Sequence, residues 1–307
     1  MAHTLFIDGA AGTTGLEIAE RLAGRAEFDL IVLDDERRKD DAARSEALND
    51  ADFVILCLPD DAARSAVRMI ANDRTRVIDA SSAFRTAPDW AYGFPEVTGR
   101  DTIASAMRVS NPGCYPTGFI ALVAPLVRAG LLPADWPYVC HAVSGYSGGG
   151  KALIARFEAD ADIAVRAYGL ALGHKHVPEM QAHAGLVHAP VFAPAVVPAH
   201  RGMLVEVPLH LSMMPAAGSA ETLRETLAAF YADSPVVNVV SDTPDELLLR
   251  GSAQPVDTLT LRVFGAADGS QARLVAMLDN LGKGASGAAV QNLNIMAGLN
   301  EATGLRL

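Results

Sequence analysis

Short apolar runs alternate with helix-like stretches through the first 110 residues of the chain. Thr4–Asp8, Phe28–Leu33, Ala51–Leu56 and Arg76–Asp79 are the strand-like runs. Between the first two, Leu16, Ala19, Leu22 and Ala23 recur at helical spacing and predict one apolar helix face. Strand, helix, strand in short order implies parallel pairing through helical crossovers, and so a doubly wound sheet. Later runs are of another kind. Met203–Leu211, Thr258–Val263 and Arg273–Leu278 alternate apolar with polar or small residues, the pattern of a mainly antiparallel sheet buried on one face. The stretch from Ala285 to Leu299, rich in Ala, Leu and Met, predicts a final helix. The fold class is therefore α/β: a Rossmann-type parallel sheet plus an α+β domain with a mainly antiparallel sheet.

A length of 307 residues exceeds what one core usually supports, which predicts two domains. The formal charge is 25 − 36 = −11, without long like-charge blocks. Such a chain is poorly suited to nucleic acid or to anionic membrane. Three cysteines, with no C-x-x-C pair, argue against a disulfide framework and for a reducing compartment. The N-terminus lacks a basic segment followed by a long apolar core, and no run approaches the roughly 20 apolar residues of a bilayer span. These features predict a cytoplasmic protein.

The segment Ser110-Asn111-Pro112-Gly113-Cys114-Tyr115-Pro116-Thr117-Gly118 carries the most chemistry. A polar, Pro/Gly-punctuated turn runs straight into Phe119-Ile120-Ala121-Leu122-Val123, the pattern of a turn opening a helix. A thiol there lies against unpaired N–H groups and the positive end of the helix dipole, which favour the thiolate. Cys114 is thus the candidate nucleophile. Cys57 and Cys140 lie in strand-like runs and read as small buried hydrophobes.

Gly9-Ala10-Ala11-Gly12-Thr13-Thr14-Gly15 follows the first strand, where a phosphate-cradling loop belongs. Its spacing is G-x-x-G-x-x-G; the commoner G-x-G-x-x-G would need glycine in place of Ala10. The second strand leads into Asp34-Asp35-Glu36 and then Arg37-Arg38-Lys39. An acid there would bond the ribose 2′-OH of NAD and an arginine the 2′-phosphate of NADP, so local chemistry supports either. A solvated charged turn is a third reading.

The densest histidine cluster is Gly173-His174-Lys175-His176-Val177-Pro178-Glu179. One imidazole could deprotonate the thiol and later return the proton. H-x-H is also a zinc spacing, but no further Cys or His pair completes a site, so no metal is expected. Surface histidines capping the helix near Pro178 are the structural alternative. Val143–Lys151 is a glycine-rich turn that could offer backbone N–H groups to a phosphate or carboxamide. Arg85 and Arg201 each stand where a ligand contact or plain solvent exposure is equally compatible with the sequence.

Together these motifs resemble the N-acetyl-γ-glutamyl-phosphate reductase family, in its shorter variant. The matching residues are Gly9–Gly15, Asn111–Thr117, Val143–Lys151, Gly173–Glu179 and Asp279-Asn280-Leu281-Gly282-Lys283-Gly284-Ala285, all in the family's order. The resemblance implies a thioester strategy shared with aspartate-semialdehyde dehydrogenase and glyceraldehyde-phosphate dehydrogenase. By position, Cys114 matches the nucleophile and His174 the acid/base. His176, Glu179, Ser144, Arg85 and Arg201 match substrate-binding positions, Arg201 less cleanly than the others. Gly9, Ala11, Gly12, Thr13, Thr14, Gly15, Ser147, Gly148 and Asn280 match cofactor positions, with Asn280 on the nicotinamide carboxamide. The resemblance further implies NADPH, an acyl phosphate substrate with release of inorganic phosphate, arginine biosynthesis, and a homodimer or homotetramer. It implies a cofactor domain of residues 1–113 and 285–307, and a catalytic and oligomerisation domain of residues 114–284. Rival readings are a related reductase acting on aspartyl or aminoadipyl phosphate and a dinucleotide-sensing regulator.

Overall fold

A computed structural model describes residues 2–307; Met1, counted in the expected cofactor domain, lies outside them. The chain forms two compact units, one ending at Pro112 and resuming over Ala285–Leu305, the other spanning Gly113–Gly284 with Arg306–Leu307.

The first unit contains β1 (His3–Asp8), α1 (Thr13–Leu22), β2 (Phe28–Ile31), α2 (Asp41–Asp50), β3 (Phe53–Leu56), α3 (Asp60–Met69) and β4 (Arg76–Asp79). It continues through β5 (Ala91–Tyr92), α4 (Pro95–Thr98), α5 (Arg100–Ser105) and β6 (Arg108–Ser110). The strand order is β2-β1-β3-β4-β6-β5, with every pair parallel. Alternation along β1 and β3 explains their unbroken apolar sequence. Leu5, Ile7, Phe53 and Ile55 face one core with Ile18 and Leu22, while Phe6, Val54 and Leu56 face another with Leu48 and Val67. Both faces are covered, so both sets of side chains must be hydrophobic. The connection reverses direction between β1 and β3, the kind of switch point at which open α/β sheets bind ligands.

The expected face of α1 needs correction. Leu16 is exposed, and the buried stripe runs through Gly15, Ile18 and Leu22. Gly15 starts that stripe because the helix must approach the preceding loop closely; a Cβ there would overlap the carbonyl oxygen of Gly9.

The second unit contains α6 (Cys114–Arg128), β7 (Val139–Gly145), α7 (Gly150–Ala159), β8 (Arg166–Ala167), α8 (Val177–Ala184), β9 (Val191–Val197) and β10 (Met203–Leu209). After these come α9 (Ala220–Phe230), β11 (Val237–Val239), β12 (Leu259–Gly265) and β13 (Ala272–Leu278). Their order is β11-β12-β13-β10-β7-β9-β8. Pairing is antiparallel except between β11 and β12 and between β7 and β9. Met203, Val205, Val207 and Leu209 are buried, while Leu204, Glu206 and Pro208 between them are at least partly exposed. The expected period of two is therefore present, with helices α6 and α9 packed on the sheet.

The last helix, α10 (Gly287–Met296), is shorter than Ala285–Leu299 at both ends: a π-helical turn occupies Gly282–Ser286, and the chain turns out of the helix at Gly298 (φ +72°). All ten of its residues are buried, and Val290 and Leu293 join the core of Leu5 and Ile18 in the first unit. The amide nitrogen of buried Asn292 is paired: Nδ2 donates to Gly93 O at 2.9 Å and to Asn111 Oδ1 at 3.1 Å. Asn111 Nδ2 in turn donates to Ala285 O at 2.9 Å. Among the described residues no helix is long and apolar enough to cross a membrane.

Close approach of α6 to the second sheet depends on Gly118, where a Cβ would stand 2.7 Å from Val205 Cγ2. Gly118→Ala should lower stability in urea unfolding by about 1–3 kcal/mol through overpacking. Pairing it with Val205→Ala should recover part of that loss; strictly additive costs would contradict the contact.

Candidate active site

Cys114 opens α6, with Gly113 as N-cap residue in an extended conformation (φ −73°, ψ 150°) and no side chain capping the helix. The residue preceding Cys114 is held at both ends. Gly113 N–H donates to Glu179 Oε1 at 2.7 Å, and Thr117 Oγ1 donates to Gly113 O at 2.9 Å. Glu179 is 1% exposed, so its carboxylate sits in low dielectric, where a hydrogen bond to charge is strong. The other thiols are unlike this one. Burial, aided by the charges of Asp79 and Asp8, pushes Cys57 up to about 12. Cys57 lies just past β3, and Cys140 is buried within β7 with its thiol likewise pushed up by burial.

Four rings surround His174: Tyr168 at 5.5 Å between centroids, Phe192 at 5.1 Å, His176 at 4.7 Å and Tyr115 at 6.5 Å. Burial and then the neighbouring Lys175 charge hold His174 below the usual imidazole range. His176 N–H donates to His174 Nδ1 at 3.2 Å, so the neutral ring carries its proton on Nε2. His176 occupies the N-cap position of α8, yet its side chain makes no cap, and it is buried rather than on the surface.

Tyr115, Tyr168 and Thr117 escaped the sequence reading as functional residues. Burial keeps both phenols protonated, with Tyr168 pushed up to about 12, and the negative charge of Cys114 adds to the effect on each. Tyr115 Oη donates to Ala195 O at 3.2 Å. Tyr168 follows β8, whose antiparallel pairing with β9 is a long-range contact that no local motif announces. Thr117 was legible in principle: a hydroxyl four residues after the residue preceding a helix can reach back to its carbonyl.

The Val143–Lys151 turn differs from its expected role. The N–H groups of Gly145, Tyr146 and Ser147 donate to Gly202, Ala199 and His200 carbonyls at 2.8, 2.9 and 3.1 Å, which commits them to the fold. The side chains do converge. Asn280 Nδ2 donates to Ser147 Oγ at 2.9 Å, and Asn280 Oδ1 accepts from Gly202 N–H at 2.9 Å. A Cβ on Gly148 would lie 3.3 Å from Asn280 Nδ2. Ser144 is buried with Oγ on Gly145 O at 3.0 Å. Arg201 Nη1 binds Asp279 Oδ2 at 2.7 Å, so this arginine is an ion-paired group rather than a solvated one.

In the first unit, Gly9 has φ +90°, and a Cβ there would overlap the Cys57 carbonyl oxygen at the β1–β3 switch point. Gly12 is the N-cap residue of α1, and no side chain caps that helix either. Thr13 and Thr14 form its partly exposed first turn, and Ala11 is exposed beside it. Bare glycines, an uncapped helix start and the switch point together fit a dinucleotide pyrophosphate. Arg85 is buried, with Nε on Asn111 O at 3.0 Å and Nη2 on Ala80 O at 3.3 Å. Nearby, burial raises Asp79 to about 6 despite its bond from Ser81 Oγ at 2.6 Å.

Comparison with known proteins decides the family. The chain is 53% identical to the N-acetyl-gamma-glutamyl-phosphate reductase of Burkholderia lata over 303 residues, covering 96% of each protein. It belongs to the N-acetyl-gamma-glutamyl-phosphate reductase family. Family models for a semialdehyde dehydrogenase NAD binding domain and a semialdehyde dehydrogenase dimerisation domain match residues 5–106 and 114–280. Among solved structures, aspartate semialdehyde dehydrogenase II of Vibrio cholerae matches with a TM-score of 0.70 at 17% identity, over 96% of this chain and 98% of that one. The Candida albicans aspartate semialdehyde dehydrogenase solved with NADP gives 0.67 at 15% identity, with the same coverages. These distant neighbours establish the shared α/β architecture of a parallel sheet and a mixed one. For a reductase of this family, the His174 environment makes a signed pH prediction. Protonating Nδ1 as pH falls removes the acceptor of the His176 N–H that orients the ring, so the acid limb of kcat/KM should lie below pH 6.5, the unperturbed value. Lys175→Ala removes a repelling charge and should move that limb upward; an unmoved limb would contradict His174 as the titrating group.

Proposed function

We propose that this enzyme reduces N-acetyl-γ-glutamyl phosphate to N-acetylglutamate 5-semialdehyde and inorganic phosphate, a step of arginine biosynthesis, in the cytoplasm. The observation that carries the reading is near-full-length identity of 53% to a reductase of that name, joined to a cysteine at a helix start with its preceding peptide locked. The Cys114 thiolate attacks the acyl carbon, a C–S bond forms, and the C–O bond to phosphate breaks. Phosphate leaves with its charge held by Arg85 and Arg201, and His176, Ser144 and Glu179 complete the substrate side. NADPH, when bound, would supply the hydride that reduces the thioester. His174 then hydrogen-bonds the resulting oxyanion through Nε2–H as the C–S bond breaks, releasing aldehyde and regenerating the thiolate.

Gly9, Ala11, Gly12, Thr13, Thr14 and Gly15 would hold the pyrophosphate, while Ser147, Gly148 and Asn280 would serve the carboxamide. The end of β2 supports NADP over NAD. Asp34 Oδ1 accepts the N–H groups of Glu36 and Arg37 at 3.1 and 2.8 Å, so this acid is spent shaping the turn that displays Arg37 and Arg38. Glu46 and Asp35 steady those arginines at 3.2 and 2.7 Å. Cofactor binding is assigned to residues 1–113 and 285–307, and catalysis to 114–284. A homo-oligomer, dimeric or tetrameric, is supported by the dimerisation-domain match over residues 114–280.

The reverse reaction tests this directly. N-acetylglutamate semialdehyde should reduce NADP only with inorganic phosphate present, and faster than NAD or than the aspartate and aminoadipate semialdehydes. His174→Asn should lose about 10²–10⁴ in rate while still binding NADPH. Phosphate-independent turnover, or preference for another semialdehyde, would replace the proposed substrate.

A further inference from the structure

We propose that Gly284 is a positioning residue for the nucleophile, its bare Cα acting as the stop against which the Cys114 side chain rests. The proposal rests on the reading of Cys114 as the nucleophile. A Cβ at Gly284 would stand 2.9 Å from Cys114 Cβ, 3.4 Å from Cys114 Cα and 3.1 Å from Asp279 O. Space on that side of the cysteine therefore ends where the glycine begins. Gly284 is itself fixed: its N–H donates to Asp279 O at 3.0 Å.

The turn carrying Gly284 is anchored independently of Cys114. Asp279 Oδ1 accepts Leu281 N–H at 2.9 Å, and Oδ2 binds Arg201 at 2.7 Å. At Gly282 a Cβ would overlap the Val256 carbonyl, so this part of the turn lies directly on the Val256–Asp257 backbone. Glu179 and Thr117 fix the peptide before the thiol, and Gly284 limits the side chain itself. Backbone and Cβ are thus constrained from two directions by different elements.

A methyl group at Gly284 must displace Cys114 by a few tenths of an ångström or move the turn. Misplacement on that scale affects rate far more than binding, because a full ångström can cost about a hundredfold. The same turn carries Asn280 and the Asp279–Arg201 pair, so one rigid segment sets the thiol against two groups assigned to cofactor and substrate.

The test is Gly284→Ala, with alkylation of Cys114 by iodoacetamide, quantified by peptide mass, giving the number of competent sites. The expected result is kcat per alkylatable site reduced about tenfold or more, with KM and NADPH affinity changed by no more than about threefold. Unchanged kcat per site would overturn the proposal. A stability cycle covers a variant that folds poorly: Cys114→Gly should offset much of the unfolding-temperature loss caused by Gly284→Ala. Additive losses would show that the two residues do not press on each other, and would overturn it as well. Absence of phosphate-dependent turnover in the unaltered enzyme would defeat the functional reading instead, and the stability cycle would still decide the contact.

Discussion

Locking of the Gly113 backbone on both sides is the constraint on which the proposed chemistry depends. An N-cap glycine is conformationally loose on its own, and an uncapped helix start has no side chain to define it. Here the Glu179 carboxylate takes the N–H, and the Thr117 hydroxyl takes the carbonyl. The thiol that follows is thereby set at the positive end of α6 without a competing cap to occupy that field. Helix α8 contributes Glu179 and has His176 as its N-cap residue, so the element that fixes the cysteine turn also adjoins the histidine pair.

The surroundings tune protonation in one consistent direction. Burial lowers His174, keeping it neutral near pH 7, and raises the Tyr115 and Tyr168 phenols, keeping them donors. A neutral imidazole with Nδ1 engaged by His176 N–H presents Nε2–H, suited to a developing oxyanion. Cys140, by contrast, is buried and Cys57 half-buried, and the thiol of each is pushed up by desolvation. Environment therefore distinguishes the cysteine proposed as nucleophile from the other two in the same chain.

Legibility in the sequence followed the range of the interactions. Strands β1, β3 and β4 were readable because both their faces are buried, leaving continuous apolar runs. The face of α1 was misread: Leu16 fits the helical spacing but points outward, because Gly15 rather than a larger residue meets the loop. The expected span of the final helix is too long at its start, where nothing local distinguishes a π-helical turn at Gly282–Ser286 from the α-helix it precedes, and at its end, where Gly298 turns the chain. Cys114 and the His174–Glu179 run were visible as local motifs. The commitment of the Gly145–Ser147 amides to the 199–202 carbonyls was not, because it joins distant segments, nor was the approach of Tyr168 to His174, which depends on the irregular turn through Gly169 and Leu172, both at positive φ.

The most direct measurement is intact-protein and peptide mass spectrometry after adding N-acetyl-γ-glutamyl phosphate without reduced cofactor. One acyl group per chain, attached to Cys114 and released by hydroxylamine, is the outcome expected of a thioester enzyme. Acylation at another residue, or unmodified protein alongside undiminished turnover, would contradict it.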